Sequence, residues 1–303
     1  MSEGPIIAVR FGLFAIEGLL LGVPLFGLYA LRAPERSQLP FRAWLILLSL
    51  IGVGLNILGF ALLLASMAGT SINAIDPDLA RSILLTAPVG WAFVLRLAVT
   101  VLALGLVLLA PANRTSMLAS VTAFSSVALA SLAWNGHGVA TEGVLAWPHL
   151  LADIVHLLAA GVWLGAIACL LYMVVRPKAS LTDLTIAGRC LKEFGVAGSM
   201  VVALLIATGL INGFAILGNQ PFGPAFGSAY IVLMGSKLAL FALMLALAAL
   251  HRFRLVPAVE SATDHADKAM AVRRIRSSMA VELAAAVVIL GLVAWLGTLE
   301  PGW

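Results

Sequence analysis

Apolar residues in this chain run in long, nearly unbroken stretches, without the polar-apolar alternation of a half-buried strand. Eight such stretches can be marked, at residues 6–31, 43–68, 86–110, 117–136, 149–175, 193–217, 228–252 and 278–299. Each holds about 20 residues or more, enough for a helix to cross a hydrocarbon core of about 30 Å. Turn and breaker residues separate them, in RAPERSQLP, NAIDPD, PANR, RPKAS and GNQPFGP. Lipid leaves only helices and closed barrels as spanning structures, and runs of this length and kind are helical. The pattern predicts an all-α, polytopic transmembrane helix bundle of eight spans, forming a single membrane domain over residues 1–303.

Polar residues orient the bundle. The first connection carries Arg32, Arg36 and Arg42, the third Arg114, and the fifth Arg176, Lys178, Arg189 and Lys192. The seventh carries Arg252, Arg254, Lys268, Arg273, Arg274 and Arg276. The second offers Asp76 and Asp78 against Arg81, and the fourth and sixth have no Lys or Arg. Basic connections therefore alternate with non-basic ones, which by the positive-inside rule predicts both termini on the non-cytoplasmic side. Composition agrees: 62% of the 303 residues are hydrophobic and 11% charged, against about 25% charged in soluble domains. The net charge of +4 is placed as a topology determinant and not as a nucleic-acid surface. No cleavable signal peptide is expected from MSEGPIIAVRFGLF, which lacks a basic first region. Cys169 and Cys190, the only cysteines, exclude a disulfide framework and a CxxC motif.

Six ionisable groups fall inside spans: Arg10, Glu17, Arg96, Asp153, Lys237 and Glu282. A charge near the bilayer centre costs about 2.5–3.5 kcal/mol on insertion scales, so such groups face the interior and pair. Three acids and three bases permit full pairing, as helix-to-helix staples or as a gate. Arg10, near an outer helix end, is placed to snorkel. Glu282, near an inner helix end, is placed to face Arg273, Arg274 and Arg276.

Metal-ligating chemistry concentrates around the fifth span. His137 closes span four, Trp147-Pro148-His149 opens span five, and Asp153, His156 and Trp163 follow. On a helix, His149, Asp153 and His156 fall within an arc of about 60°. Imidazole suits copper, zinc, iron and nickel, and a carboxylate either ligates or holds a histidine by its other nitrogen. About 10 Å of helix separates His149 from His156, so the expected site joins His156 to His137, with Asp153 as a ligand or its support. His149 is left as an entry ligand, as part of a second site, or as an interfacial residue of the aromatic belt beside Trp147. Met67 and Met234 are possible soft ligands on an outer copper path. His251 and His265, beside charged residues, are expected to be solvated.

With these residues in view, the sequence resembles the CopD/PcoD copper-resistance membrane protein family. The resemblance rests on Gly136-His137, on Asp153-Ile-Val-His156 running to Trp163-Leu-Gly165, and on Thr208-Gly209 with Asn212. Lys237-Leu-Ala-Leu, His251-Arg-Phe-Arg-Leu-Val-Pro257 and the end from Glu282 to Pro301 extend it. The chain departs from the family pattern at Asn135, where a small hydroxyl residue is expected, and at His251, where asparagine is expected. The resemblance implies a non-enzymatic bacterial inner-membrane protein that handles a copper ion, moving it from periplasm to cytoplasm beside a CopC-type periplasmic copper-binding protein. No Walker motif is present, so any transport is expected to be passive or coupled to another gradient. Two other readings stay open at this point: a haem-binding or redox membrane protein, since histidines on neighbouring helices ligate haem, and a copper sensor or scaffold without transport.

Overall fold

The computed structural model describes residues 3–111, 114–135, 143–176, 181–217, 229–255, 257 and 265–299. Nine α-helices are found among them: α1 Gly4–Tyr29, α2 Phe41–Ala68, α3 Pro77–Thr86, α4 Pro88–Leu109, α5 Thr115–Ala130, α6 Ala146–Val175, α7 Leu181–Leu217, α8 Ala229–Leu250 and α9 His265–Leu296. No strand occurs among the described residues. All but α3 are long and apolar enough to cross a membrane, α5 with the 3-10 turn Ser131–Asn135 and α8 with the π-helical turn His251–Leu255 that continue them. The eight predicted spans are therefore present.

Their limits differ from the sequence reading in two places. The sixth span begins at Thr185 and the eighth at Val272, within helices that start at Leu181 and His265. Arg189, Lys192, Arg273, Arg274 and Arg276, expected in connections, are thus helical. Arg and Lys are good helix formers, and a helix can leave hydrocarbon without ending. The sequence reading also missed α3. Asp76 caps it by accepting from the Asp78 N–H at 3.0 Å, and Pro77 takes its first position, a helix-start signal readable in the sequence.

α1 lies at the centre of the bundle, against α2, α5, α6 and α9. It crosses α6 at a seam of small residues, Gly18 and Gly22 on one helix and Gly161 and Gly165 on the other. A methyl group at Gly22 would lie 2.2 Å from the Gly161 carbonyl oxygen, and one at Gly165 would lie 2.3 Å from the Gly22 carbonyl carbon. The backbones touch because none of the four has a side chain, the close approach by which helices associate in lipid. Pro24 sits inside α1, tolerated because neighbouring helices enclose it.

The arginines mark one end of the bundle. Arg36 donates to the Thr115 hydroxyl at 2.7 Å, Arg42 to the Leu108 carbonyl at 2.7 Å, Arg189 to the Ala30 carbonyl at 3.2 Å and Arg276 to the Val174 carbonyl at 2.7 Å. Arg176 binds Gln38. These contacts tie together the ends of α1, α4 and α6 and the beginnings of α5, α7 and α9. Beneath this basic end lies the largest core cluster, including Phe26, Phe41, Met117, Leu170, Cys169 and Cys190. Both cysteines are buried free thiols, and Cys190 Sγ donates to the Ala30 carbonyl.

Candidate metal centre and buried polar groups

The face predicted on α6 exists, and α7 supplies its partners. His156 Nδ1 lies 2.9 Å from Thr208 Oγ1, and Asn212 donates to Asp153 Oδ1 at 3.3 Å. Thr208 and Asn212 are one helical turn apart, as Asp153 and His156 are, so the two helices meet rung by rung. The Thr208 hydroxyl has one proton, which goes to the Leu204 carbonyl at 2.6 Å. With that proton committed, Thr208 is an acceptor for the His156 tautomer that carries its proton on Nδ1. In that tautomer Nε2 is unprotonated, the form in which imidazole binds a metal. The α7 threonine thus does for His156 what a carboxylate or carbonyl does behind many ligating histidines.

Asp153 also interacts electrostatically with Lys237 on α8 and Arg10 on α1, and Lys237 acts on His156 as well. Arg10 does not snorkel. It donates to the Asn135 carbonyl at 2.9 Å and packs on Gly297, where a side chain would collide with the guanidinium. Asp153 acts on it electrostatically, an anion for an inward guanidinium to face. His149 is buried, at 1% exposure, and is not part of an aromatic belt. Trp147, two residues earlier, is 78% exposed and fits that role.

The remaining buried charges form two further groups. Glu17 and Arg96 face each other through Asn56. The Asn56 amide donates to Glu17 Oε1 at 2.9 Å, and Arg96 Nε donates to Asn56 Oδ1. Arg96 Nη1 reaches Ser131 Oγ at 3.2 Å, and Thr100 Oγ1 stands 3.5 Å from the same Glu17 oxygen. A neutral amide thus bridges the two charges where a direct ion pair was expected. Its oxygen meets the guanidinium and its nitrogen meets the carboxylate, so one side chain serves both. Sequence reading missed Asn56, although a lone asparagine midway along an apolar span is itself a signal.

Glu282 does not face the arginines of α9. Its Oε1 accepts from Trp163 Nε1 at 2.9 Å, and its Oε2 lies 3.4 Å from His251 Nδ1. His251, expected in solvent, is 4% exposed. The helix closes in a π turn that begins at His251, and the wider turn keeps the imidazole inside the bundle while Arg252, Phe253 and Arg254 are exposed.

The other candidates are not brought together. Met67 is 58% exposed at the end of α2, and Met234 packs beside Tyr230, Leu233 and Leu296. His137 and the side chain of His265 lie outside the described residues. Among the described residues, no set of three His, Cys, Asp or Glu is close enough to hold an ion. What the described part offers a metal is the His156 imidazole, the Asp153 carboxylate one turn before it, and two basic residues acting on that carboxylate. The cations oppose a highly charged ion at Asp153, so the neutral imidazole is the better ligand and Asp153 the better counter-charge.

A multispan helical protein with an imidazole and a carboxyl group held side by side inside its bundle is the class these features define. Comparison with known proteins narrows it. Residues 1–147 match the family model of the copper resistance protein D-like N-terminal domain, and residues 188–296 match that of copper resistance protein D. The chain is 40% identical to copper resistance protein D of Pseudomonas syringae pv. tomato, over 99% of this chain and 98% of that one. It is 30% identical to copper transport protein CutJ of Bacillus subtilis (strain 168), over 80% of this chain and 45% of that one. It is 27% identical to inner membrane protein YebZ of Escherichia coli (strain K12), over 76% of this chain and 74% of that one. The chain belongs to the copper resistance protein D family. No solved structure matches it.

Proposed function

We propose that this protein binds copper at His156 and carries it across the bacterial inner membrane from periplasm to cytoplasm. The observation that supports this best is the contact of His156 Nδ1 with Thr208 Oγ1 at 2.9 Å, whose hydroxyl proton goes to Leu204; it favours the tautomer that leaves Nε2 for a soft or borderline metal. Asp153 supplies counter-charge, and His137, which closes the neighbouring span, supplies a second imidazole. Arginines gathered at one end support the orientation, with that end cytoplasmic, both termini periplasmic, and His149 and Asp153 toward the periplasm. The site then faces the compartment in which a CopC-type copper carrier would deliver its ion. Arg10 and Lys237 on either side of Asp153 favour a monovalent ion over a divalent one. Glu17, Arg96, Lys237 and Glu282 line the helix contacts that must shift if the bundle opens toward its other end.

Copper competition titration of purified variants tests the site. His156→Ala should abolish high-affinity binding, and His265→Ala should leave it unchanged. Asp153→Asn should weaken it about 10–100-fold if it acts behind a ligand, and His149→Ala should weaken it less. A folded His156→Ala protein that binds copper like the parent would remove the assignment. Copper uptake into proteoliposomes separates transport from binding alone.

A further inference from the structure

We propose that Glu282 and His251, with Trp163, form a proton-binding site of their own, toward the basic end of the bundle and separate from the copper site. All three residues are at most 4% exposed. Glu282 uses one oxygen to accept from the Trp163 indole and turns the other to His251. An indole N–H can only donate, so that oxygen is an acceptor. The second oxygen stands 3.4 Å from His251 Nδ1, which places the ring proton of a neutral His251 on Nδ1. His251 Nε2 is then a lone pair, and it is buried without a partner.

A carboxylate with two donors and an imidazole with one vacant nitrogen carry a net negative charge in apolar surroundings that include Val201, Leu205, Met244, Ala285 and Ala286. One proton corrects both faults. It forms an N–H bond at Nε2, turns the imidazole into an imidazolium and pairs it with the carboxylate. Among the described residues, His251 is the one charged or chargeable group within 4 Å of Glu282.

The other charges on the surrounding helices are committed elsewhere or lie further along. On α6, Asp153 and His156 are about 10 Å or more up the helix from Trp163. On α7, Arg189 binds Glu35 and Glu193, and Lys192 is exposed toward the basic end. On α8, Lys237 interacts with Asp153, Arg252 binds the Gly195 carbonyl and Ser199, and Arg254 is exposed. On α9, Arg273 and Arg274 are exposed and Arg276 binds the Val174 carbonyl.

The proposal does not depend on copper, and neither does its test. The full chain, labelled with 15N at histidine and reconstituted in liposomes, is followed by NMR as the pH is lowered from about 8 to about 4, a range that brackets ordinary imidazole and carboxylate groups. One imidazole signal, identified by its loss in His251→Asn, should convert from the singly to the doubly protonated form. Glu282→Gln should change the pH at which that signal converts, and it assigns the signal if His251→Asn does not fold. A His251 signal that stays singly protonated throughout, or one indifferent to Glu282→Gln, overturns the proposal. Copper bound per chain should be equal in the parent and His251→Asn. Loss of one equivalent makes this a copper site and also overturns it. Failure of His156 to bind copper would leave the imidazole titration readable, so the two readings fail separately.

Discussion

Thr208→Val tests the link between helix packing and metal affinity. Valine has nearly the shape of threonine, so the α6–α7 contact keeps its packing, but it offers His156 no acceptor. The lost hydrogen bond is worth about 0.5–1.5 kcal/mol net, and a buried N–H left without a partner costs about 1–3 kcal/mol. In the variant the ring relieves that cost by turning or by moving its proton to Nε2, which closes the position a metal needs. Copper must then reverse the change on binding. At about 1.4 kcal/mol per factor of ten, affinity should fall about 10–100-fold, the range found for groups that orient a ligating histidine. Thr208→Ser restores the acceptor and should bind like the parent. The assay is copper competition titration in detergent, with a thermal melt to show that each variant is folded. If Thr208→Val binds as the parent does, either His156 does not ligate through Nε2 or its tautomer is set by something else.

Three further outcomes follow from the packing. Gly165→Val should destabilise the bundle by several kcal/mol, since even a methyl group there meets the α1 backbone at 2.3 Å. A lowered melting temperature in detergent checks it, and an unchanged one would mean the seam can open freely. Asn56→Leu should cost about 1–3 kcal/mol by leaving Glu17 and Arg96 without their bridge, read as a loss of thermal stability without loss of copper affinity. Single cysteines placed for labelling in whole cells should react from outside at the exposed Asp76 and only after permeabilisation at Arg176 and Arg273. Ready outside labelling at position 176 would invert the topology.

The elements of this fold were legible because membrane spans are local: about 20 apolar residues in a row need no tertiary information. The stripe of His149, Asp153 and His156 was legible for the same reason, being a matter of spacing on one helix. What they touch was not. Thr208 and Asn212 stood out as motif residues, but their role depends on how α7 is rotated against α6, which hydropathy leaves open. Asn56 escaped because attention to charge passes over a neutral amide, yet that amide decides how Glu17 and Arg96 meet. His251 was misread from its arginine neighbours. A normal α-helical end gives no warning that a π turn will hold one residue inside while the next three are exposed.

The buried charges carry a last inference about how the bundle is organised. Three acids and three bases within the spans suggest three neutral pairs, and the structure does not allot them that way. Glu17 and Arg96 balance through Asn56 on the α1, α2 and α4 side. Asp153 is shared by Arg10 and Lys237, an excess of one positive charge. Among the described residues, Glu282 meets the Trp163 indole and the His251 imidazole and no Lys or Arg. Unequal allotment is costly at low dielectric, and three staples chosen for stability alone would each be neutral. The two unbalanced groups share α6, where His156 and Trp163 stand seven residues apart on one face, about 10 Å along the axis. The unequal allotment therefore falls along one helix, with two basic residues acting on Asp153 toward one end and none beside Glu282 toward the other.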